Sequence, residues 1–273
     1  MIEPSDNYPD TRNAHSQGAV RTGVCSREEA SVSDSQRMAE TRSASIQTYA
    51  RIAGVLFLLS IVAGGFGEFY VPDKLIVSSD AAATAKNVIA HESLFRMGFA
   101  AYLVEATCDI ALTLIFYVLL RPVGKNLALL AAFFRLVSTS VFGVAELFYF
   151  AALPILSGSD YLKTFSPEQL NTLALLSLKL YGYFGEIFMV FYGVASILFG
   201  YLMFRSGYLP KILGALLALG GFGFVTNNFA LVLAPAYASS GFLLPMPIAA
   251  LSLTLWLLVR GVNIPKWEER ATK

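Results

Sequence analysis

The chain of 273 residues is 56% hydrophobic, only 14% charged and carries a formal net charge of +1, with a mean hydropathy of +0.60. Soluble domains hold roughly a quarter charged residues, so these few charges cannot clothe a water-soluble surface of this size. There is no basic excess to attract nucleic acid, and charge must act locally.

Residues 1 to about 48 mix Ser, Arg, Glu, Asp and Gln without helical or alternating apolar period, the composition of a disordered cytoplasmic tail. Met38 lies closer to the first apolar run, and translation from it would leave residues 1–37 out. Cys25 falls in this tail and Cys108 in an apolar run, so both are expected as free thiols.

Six apolar runs follow, at about 51–71, 95–120, 127–154, 181–204, 211–234 and 242–260. Each approaches the roughly 20 residues that cross about 30 Å of hydrocarbon. The first has basic residues before it and small residues near its end, like a signal peptide, but its length and the runs that follow favour a retained anchor. The expected fold is therefore an all-α, polytopic membrane bundle of six transmembrane helices over residues 49–263, with 264–273 as a short tail.

Short loops that stay in the cytoplasm keep Lys and Arg. Arg42 and Arg51 precede the first run, Arg121 and Lys125 join the second to the third, Arg205 and Lys211 the fourth to the fifth, and Arg260, Lys266, Arg270 and Lys273 follow the sixth. All fall on one side, so both termini are expected inside. On the other side, Ser166-Pro167-Glu168-Gln169 forms a capping box with Pro at the first helical position. A helix starting there and running unbroken to Phe204 would overshoot the bilayer, so it either projects outward or breaks near Gly182 and Gly185. Asp80 before three alanines marks a short helix ending near His91.

Ionisable groups within membrane helices cost several kcal/mol on most scales and face the bundle interior or a wet cavity. Side chains three, four or seven apart share a helix face, which gives a stripe of Tyr102, Glu105, Cys108, Asp109 and Thr113 in the second run and one of Arg135, Ser138, Thr139 and Glu146 in the third. Asp109 lies about 18 Å from Arg121 along its helix and Arg135 about 14 Å from Asn126, at ~1.5 Å per residue. A buried Asp109–Arg135 ion pair is expected. Glu68, Glu105, Glu146, Glu186, Asn227 and Asn228 count out to about 24–30 Å from the basic edge and form one polar layer toward the other side. Glu186 shares a face with Gly193 and Gly200, which points it inward. Carboxylates so grouped need a cation, protons or water. One reading of the layer is an outward-facing vestibule for a small solute, cation or proton. Another is helix ends wetted at the interface, in a structural or regulatory partner protein without a ligand.

No motif for a named chemistry appears. His91-Glu92 lacks the second histidine of a zinc-protease helix, since Phe95 stands in its place, and no phosphate loop or serine elbow occurs. An intramembrane lipid-acting enzyme would need a nucleophile and base at usable spacing. The expectation is a non-enzyme without cofactor or metal, whose partner is the lipid bilayer.

Four strings carry a resemblance: Ala50-Arg51-Ile52-Ala53-Gly54-Val55-Leu56-Phe57-Leu58; Leu119-Leu120-Arg121-Pro122-Val123 with Asn126-Leu127-Ala128; Phe165-Ser166-Pro167-Glu168-Gln169; and Phe204-Arg205-Ser206-Gly207-Tyr208-Leu209-Pro210. From about Tyr49 to Asn263 the chain resembles the bacterial domain of unknown function 4386 family of multi-pass membrane proteins. The resemblance implies a membrane fold in a bacterial cytoplasmic membrane and no reaction, ligand or catalytic residue.

Overall fold

Long apolar runs with few breakers fold as long helices, because every backbone group is then satisfied within its own segment. A computed structural model describes residues 44–272, which leaves Cys25 and the expected tail up to residue 43 outside. The helices are α1 (Ala44–Leu75), α2 (Ala81–Ala90), α3 (Glu92–Leu120), α4 (Lys125–Leu156), α5 (Pro167–Ser206), α6 (Lys211–Leu233), α7 (Pro245–Val259) and α8 (Ile264–Ala271). No strand occurs among the described residues. Six of these helices, with α7 extended back to Ser240, are long and apolar enough to cross a membrane. Large apolar side chains such as Val55, Val62, Leu114, Leu147, Ile212 and Val232 stand on their outer faces. Lipid, not water, suits such surfaces.

Helix ends follow local chemistry. The Ser166 hydroxyl accepts from Gln169 N while the Gln169 side chain accepts from Ser166 N, and Asp80 accepts from Ala83 N. From its capping box α5 runs unbroken past Gly182 and Gly185 for 40 residues, about 60 Å at 1.5 Å per residue. Of the two expected outcomes, projection is the one realised: α2 packs against the first turns of α5, with Val88, Ala174 and Leu178 in one apolar cluster. The helix stops at Gly207, whose φ of 77° is left-handed and easy only for glycine.

At the end of the bundle that carries the basic loops, residues 264–273, expected only as a tail, contain α8. Asn263 caps it, and Trp267 on its inner face is buried. Carbonyls in the last turn of a helix lack intrahelical partners, and Leu119 O at the end of α3 accepts from both Trp267 Nε1 (3.0 Å) and the Tyr208 hydroxyl (2.7 Å). Burial raises the Tyr208 hydroxyl above the ordinary tyrosine range, which keeps it a donor. Residues 44–48, expected within the tail, are the first turns of α1. There the Gln47 amide donates to Arg260 O and accepts from Val262 N, tying α1 to the end of α7.

The interior is divided. One apolar cluster fills the basic end (Phe57, Leu112, Phe116, Leu119, Phe199, Leu213), and a second fills the far end (Phe95, Tyr102, Phe142, Tyr149, Leu178). Between them lies the polar stretch of α3 and α4. α5 packs closely on both α4 and α6. Its contact with α6 is backbone on backbone: a Cβ on Gly200 would lie 2.6 Å from Gly214 O and Ala218 N, and one on Gly193 2.8 Å from Gly221 O. Gly200→Ala should therefore lower the thermal unfolding temperature in detergent, through overpacking of ~1–3 kcal/mol. Gly182→Ala, where a Cβ meets nothing within 4 Å, should be neutral or slightly stabilising.

Candidate functional site

The site begins with a perturbed helix. Gly65–Tyr70 of α1 winds as a π-helix, a wide turn that often marks functional positions, and Gly67 O accepts a 2.6 Å hydrogen bond from the buried Tyr102 hydroxyl of α3. Gly67 lies so close to α3 that a Cβ there would come within 3.2 Å of Gly98 O. Glu68 sits in this widened turn. It lines, together with Glu105 and Asp109 of α3, a cavity of about 150 Å³.

Opposite these acids, α4 contributes Ser138, Thr139 and Phe142, α5 contributes Phe188, Met189 and Tyr192, and α6 contributes Phe224. The cavity thus has an acidic wall on α1 and α3 and an aromatic wall on α4, α5 and α6. Phe142 packs on Phe188 with ring centroids 4.9 Å apart and Tyr192 on Phe224 at 5.9 Å. The Ser138 hydroxyl donates to Phe188 O at 2.9 Å, which fixes α5 against α4 at this level.

The structure brings Asp109 and Arg135 together: Arg135 Nη2 donates to Asp109 Oδ1 at 2.6 Å, both buried. The guanidinium also stacks on Tyr192, 3.8 Å from the ring centroid. The pair and the acid layer, separate in the sequence reading, form one site, because Asp109 lies one turn of α3 from Glu105.

The charges do not balance. Among the described residues, ion pairs join Glu92 to Arg96, Asp109 to Arg135 and Asp160 to Lys163, and none involves Glu68, Glu105 or Glu146. Glu105 Oε2 and Glu146 Oε1 are buried without a hydrogen-bond partner, as is Arg135 Nε. Glu146 is only 2% exposed and shares the α4 face of Ser138, Thr139 and Phe142, one turn beyond the cavity. Glu68, Asp109, Arg135 and Glu146 all lie within electrostatic reach of Glu105.

The other expected members of the layer do not line the cavity. Glu186 is half-buried, and Phe188, two residues on, points about 200° away from it at ~100° per residue; the cavity is served by the Phe188 and Tyr192 face. Asn227 and Asn228 are buried, but their side chains are used locally: Asn227 Oδ1 accepts from Ser239 N at 3.0 Å and Asn228 Nδ2 donates to Phe224 O at 2.8 Å. Of the expected layer, the cavity therefore gathers only Glu68 and Glu105, together with Asp109 of the ion pair. Sequence reasoning missed the aromatic wall and the π-helix. The signals for them were Phe142, four residues from both Ser138 and Glu146, and the crowding of Gly64, Gly65 and Gly67 before Glu68. Among the described residues no group of three or more His, Cys, Asp or Glu is placed to hold a metal ion.

Residues 52–261 match the family described as "Domain of unknown function (DUF4386)". The chain belongs to that family. It is also similar to an uncharacterized protein of Archaeoglobus fulgidus, 27% identical over 157 residues, an alignment that covers 56% of this chain and 76% of the relative. No solved structure matches the chain. The DUF4386 match covers all of the charged cavity wall.

Removing one partner of a buried ion pair leaves the other uncompensated, at a cost of ~3–5 kcal/mol. Arg135→Gln should therefore lower the unfolding temperature sharply in this DUF4386 protein, and Asp109→Asn combined with it should recover most of the loss. Thermal unfolding in detergent checks this; additive losses in the double variant would contradict the coupling.

Proposed function

We propose that this DUF4386 protein binds a small positively charged species, a proton or a cation, in the chamber between α1, α3, α4, α5 and α6, and exchanges it with the side of the membrane opposite the basic loops. The observation that carries this reading is the surplus of acid. Three carboxylates line one cavity and a fourth, buried and unpartnered, stands a turn away, against a single guanidinium. In a low-dielectric interior such a group cannot remain ionised without positive charge or water nearby.

Access from the far side is favoured by what lies on the other. Below Arg135 the next cavity is about 10 Å³ and is walled by Phe57, Phe116 and Phe199. A water needs ~10–15 Å³, so this region acts as a plug toward the basic end. Taking that end as cytoplasmic, exchange runs through the other end, where the second apolar cluster must part to admit the ion.

Single cysteines introduced at Glu105, Ser138 and Leu112 in a Cys25→Ser, Cys108→Ser background test this. A membrane-impermeant maleimide added outside intact cells should label the first two positions and spare the third, which lies in the plug. A bundle whose polar layer only fixes helix packing would leave all three unlabelled from either side.

A further inference from the structure

Resting on that reading, we infer that the species the chamber takes is a small organic ammonium ion, a methylated amine or a quaternary ammonium of a few carbon atoms, bound between the acids of α1 and α3 and the aromatic rings of α4, α5 and α6. An inorganic cation is best held by oxygen on every side, with six or more ligands for calcium and near-octahedral geometry for magnesium. This cavity sets the acid oxygens against a wall in which the rings of Phe142, Phe188, Tyr192 and Phe224 outnumber the hydroxyls of Ser138 and Thr139, and no three acids in it converge on a point. Ring faces carry partial negative charge and attract weakly hydrated organic cations, and an aromatic cage is the usual receptor for quaternary ammonium groups.

The protein's own Arg135 demonstrates the recognition chemistry in place. Its guanidinium, itself a flat organic cation, is held by the Asp109 carboxylate at 2.6 Å and by the Tyr192 ring at 3.8 Å. In the cavity beside that pair the same two kinds of side chain recur without a tethered cation between them: Glu68 and Glu105 from one pair of helices, Phe142, Phe188 and Phe224 from the others. Glu105 Oε2 and the almost fully buried Glu146 Oε1 have no hydrogen-bond partner in the protein. Glu105, which lines the cavity, offers the acceptor that an ammonium charge or its N–H groups would satisfy, and Glu146, a turn beyond, adds to the acid surplus at longer range. The volume of about 150 Å³ is on the order of a cavity that takes a benzene-sized molecule, which suits a small ammonium ion and excludes a large lipophilic drug. A lipid headgroup would bring the same ammonium together with a phosphate, and the acids that hold the one would repel the other. The free ion is the better fit.

The test titrates the purified full-length protein in detergent, in sodium buffer of fixed ionic strength, with tetramethylammonium chloride, methylammonium chloride, potassium chloride and phosphocholine, reading the unfolding temperature and the heat of binding. The two organic chlorides should give saturable stabilisation, while potassium chloride and phosphocholine should not. Glu105→Gln should weaken the organic cation about tenfold and Phe188→Leu about threefold, the sizes of a lost charge contact and a lost ring face. Phe133→Leu, on the outer face of α4, should bind as the parent does. Equal response to potassium and tetramethylammonium, tighter binding of phosphocholine, or affinity unaltered by both Glu105→Gln and Phe188→Leu would each overturn the assignment. If a cysteine at position 105 still labels from outside in that event, the chamber stands and only its ligand class is wrong; if labelling fails too, both fall.

Discussion

Everything in this bundle is arranged around the cost of placing charge away from water. Arg135 and Asp109 meet between two apolar clusters, one toward each membrane face. Such a pair is worth little by itself, because desolvation offsets its attraction, yet it is costly to break once built. It therefore fixes the register of α3 against α4. The helices around it inherit that register: Ser138 ties α4 to α5, and the glycine contacts of α5 and α6 bring Tyr192 and Phe224 to the same level.

Given that level, the remaining acids have few places to go. The π-helical turn of α1 sets Glu68 beside α3, and Glu105 lies one turn from Asp109. A single guanidinium, bonded to Asp109, is then outnumbered by four carboxyl groups. Packing alone would not select such an excess, since replacing buried ionic groups with apolar residues of similar size is often neutral or stabilising. An excess held at mid-bundle, beside aromatic faces and above an apolar plug, is what a binding chamber for a positive species requires.

Much of the fold was legible because membrane burial leaves a strong trace in sequence. Long apolar runs gave the spans, Ser166 and Asp80 gave helix starts, and the spacing of Tyr102, Asp109 and Thr113 gave the inward face of α3. The Asp109–Arg135 contact followed from counting along two antiparallel helices. Counting failed where identity of depth does not mean identity of direction: Glu186, Asn227 and Asn228 lie near the right level but turn to other faces or to local backbone partners. α8 was missed because eight residues give too short a periodic signal against a polar terminus, although Trp267 was its anchor. The aromatic wall was unreadable for a different reason. In a chain with 21 phenylalanines and 13 tyrosines, nothing in the sequence separates a ring that faces lipid from one that faces a cavity.

The central claim is that positive charge resides among these carboxyl groups. Infrared spectroscopy of the full-length protein in lipid, in salt-poor buffer near neutral pH, measures this directly. Residence of protons there predicts a carbonyl stretch from protonated carboxyl groups sheltered from solvent, weakened in Glu105→Gln and displaced when tetramethylammonium is added. Spectra in which every carboxyl group is ionised before any cation is supplied would contradict it.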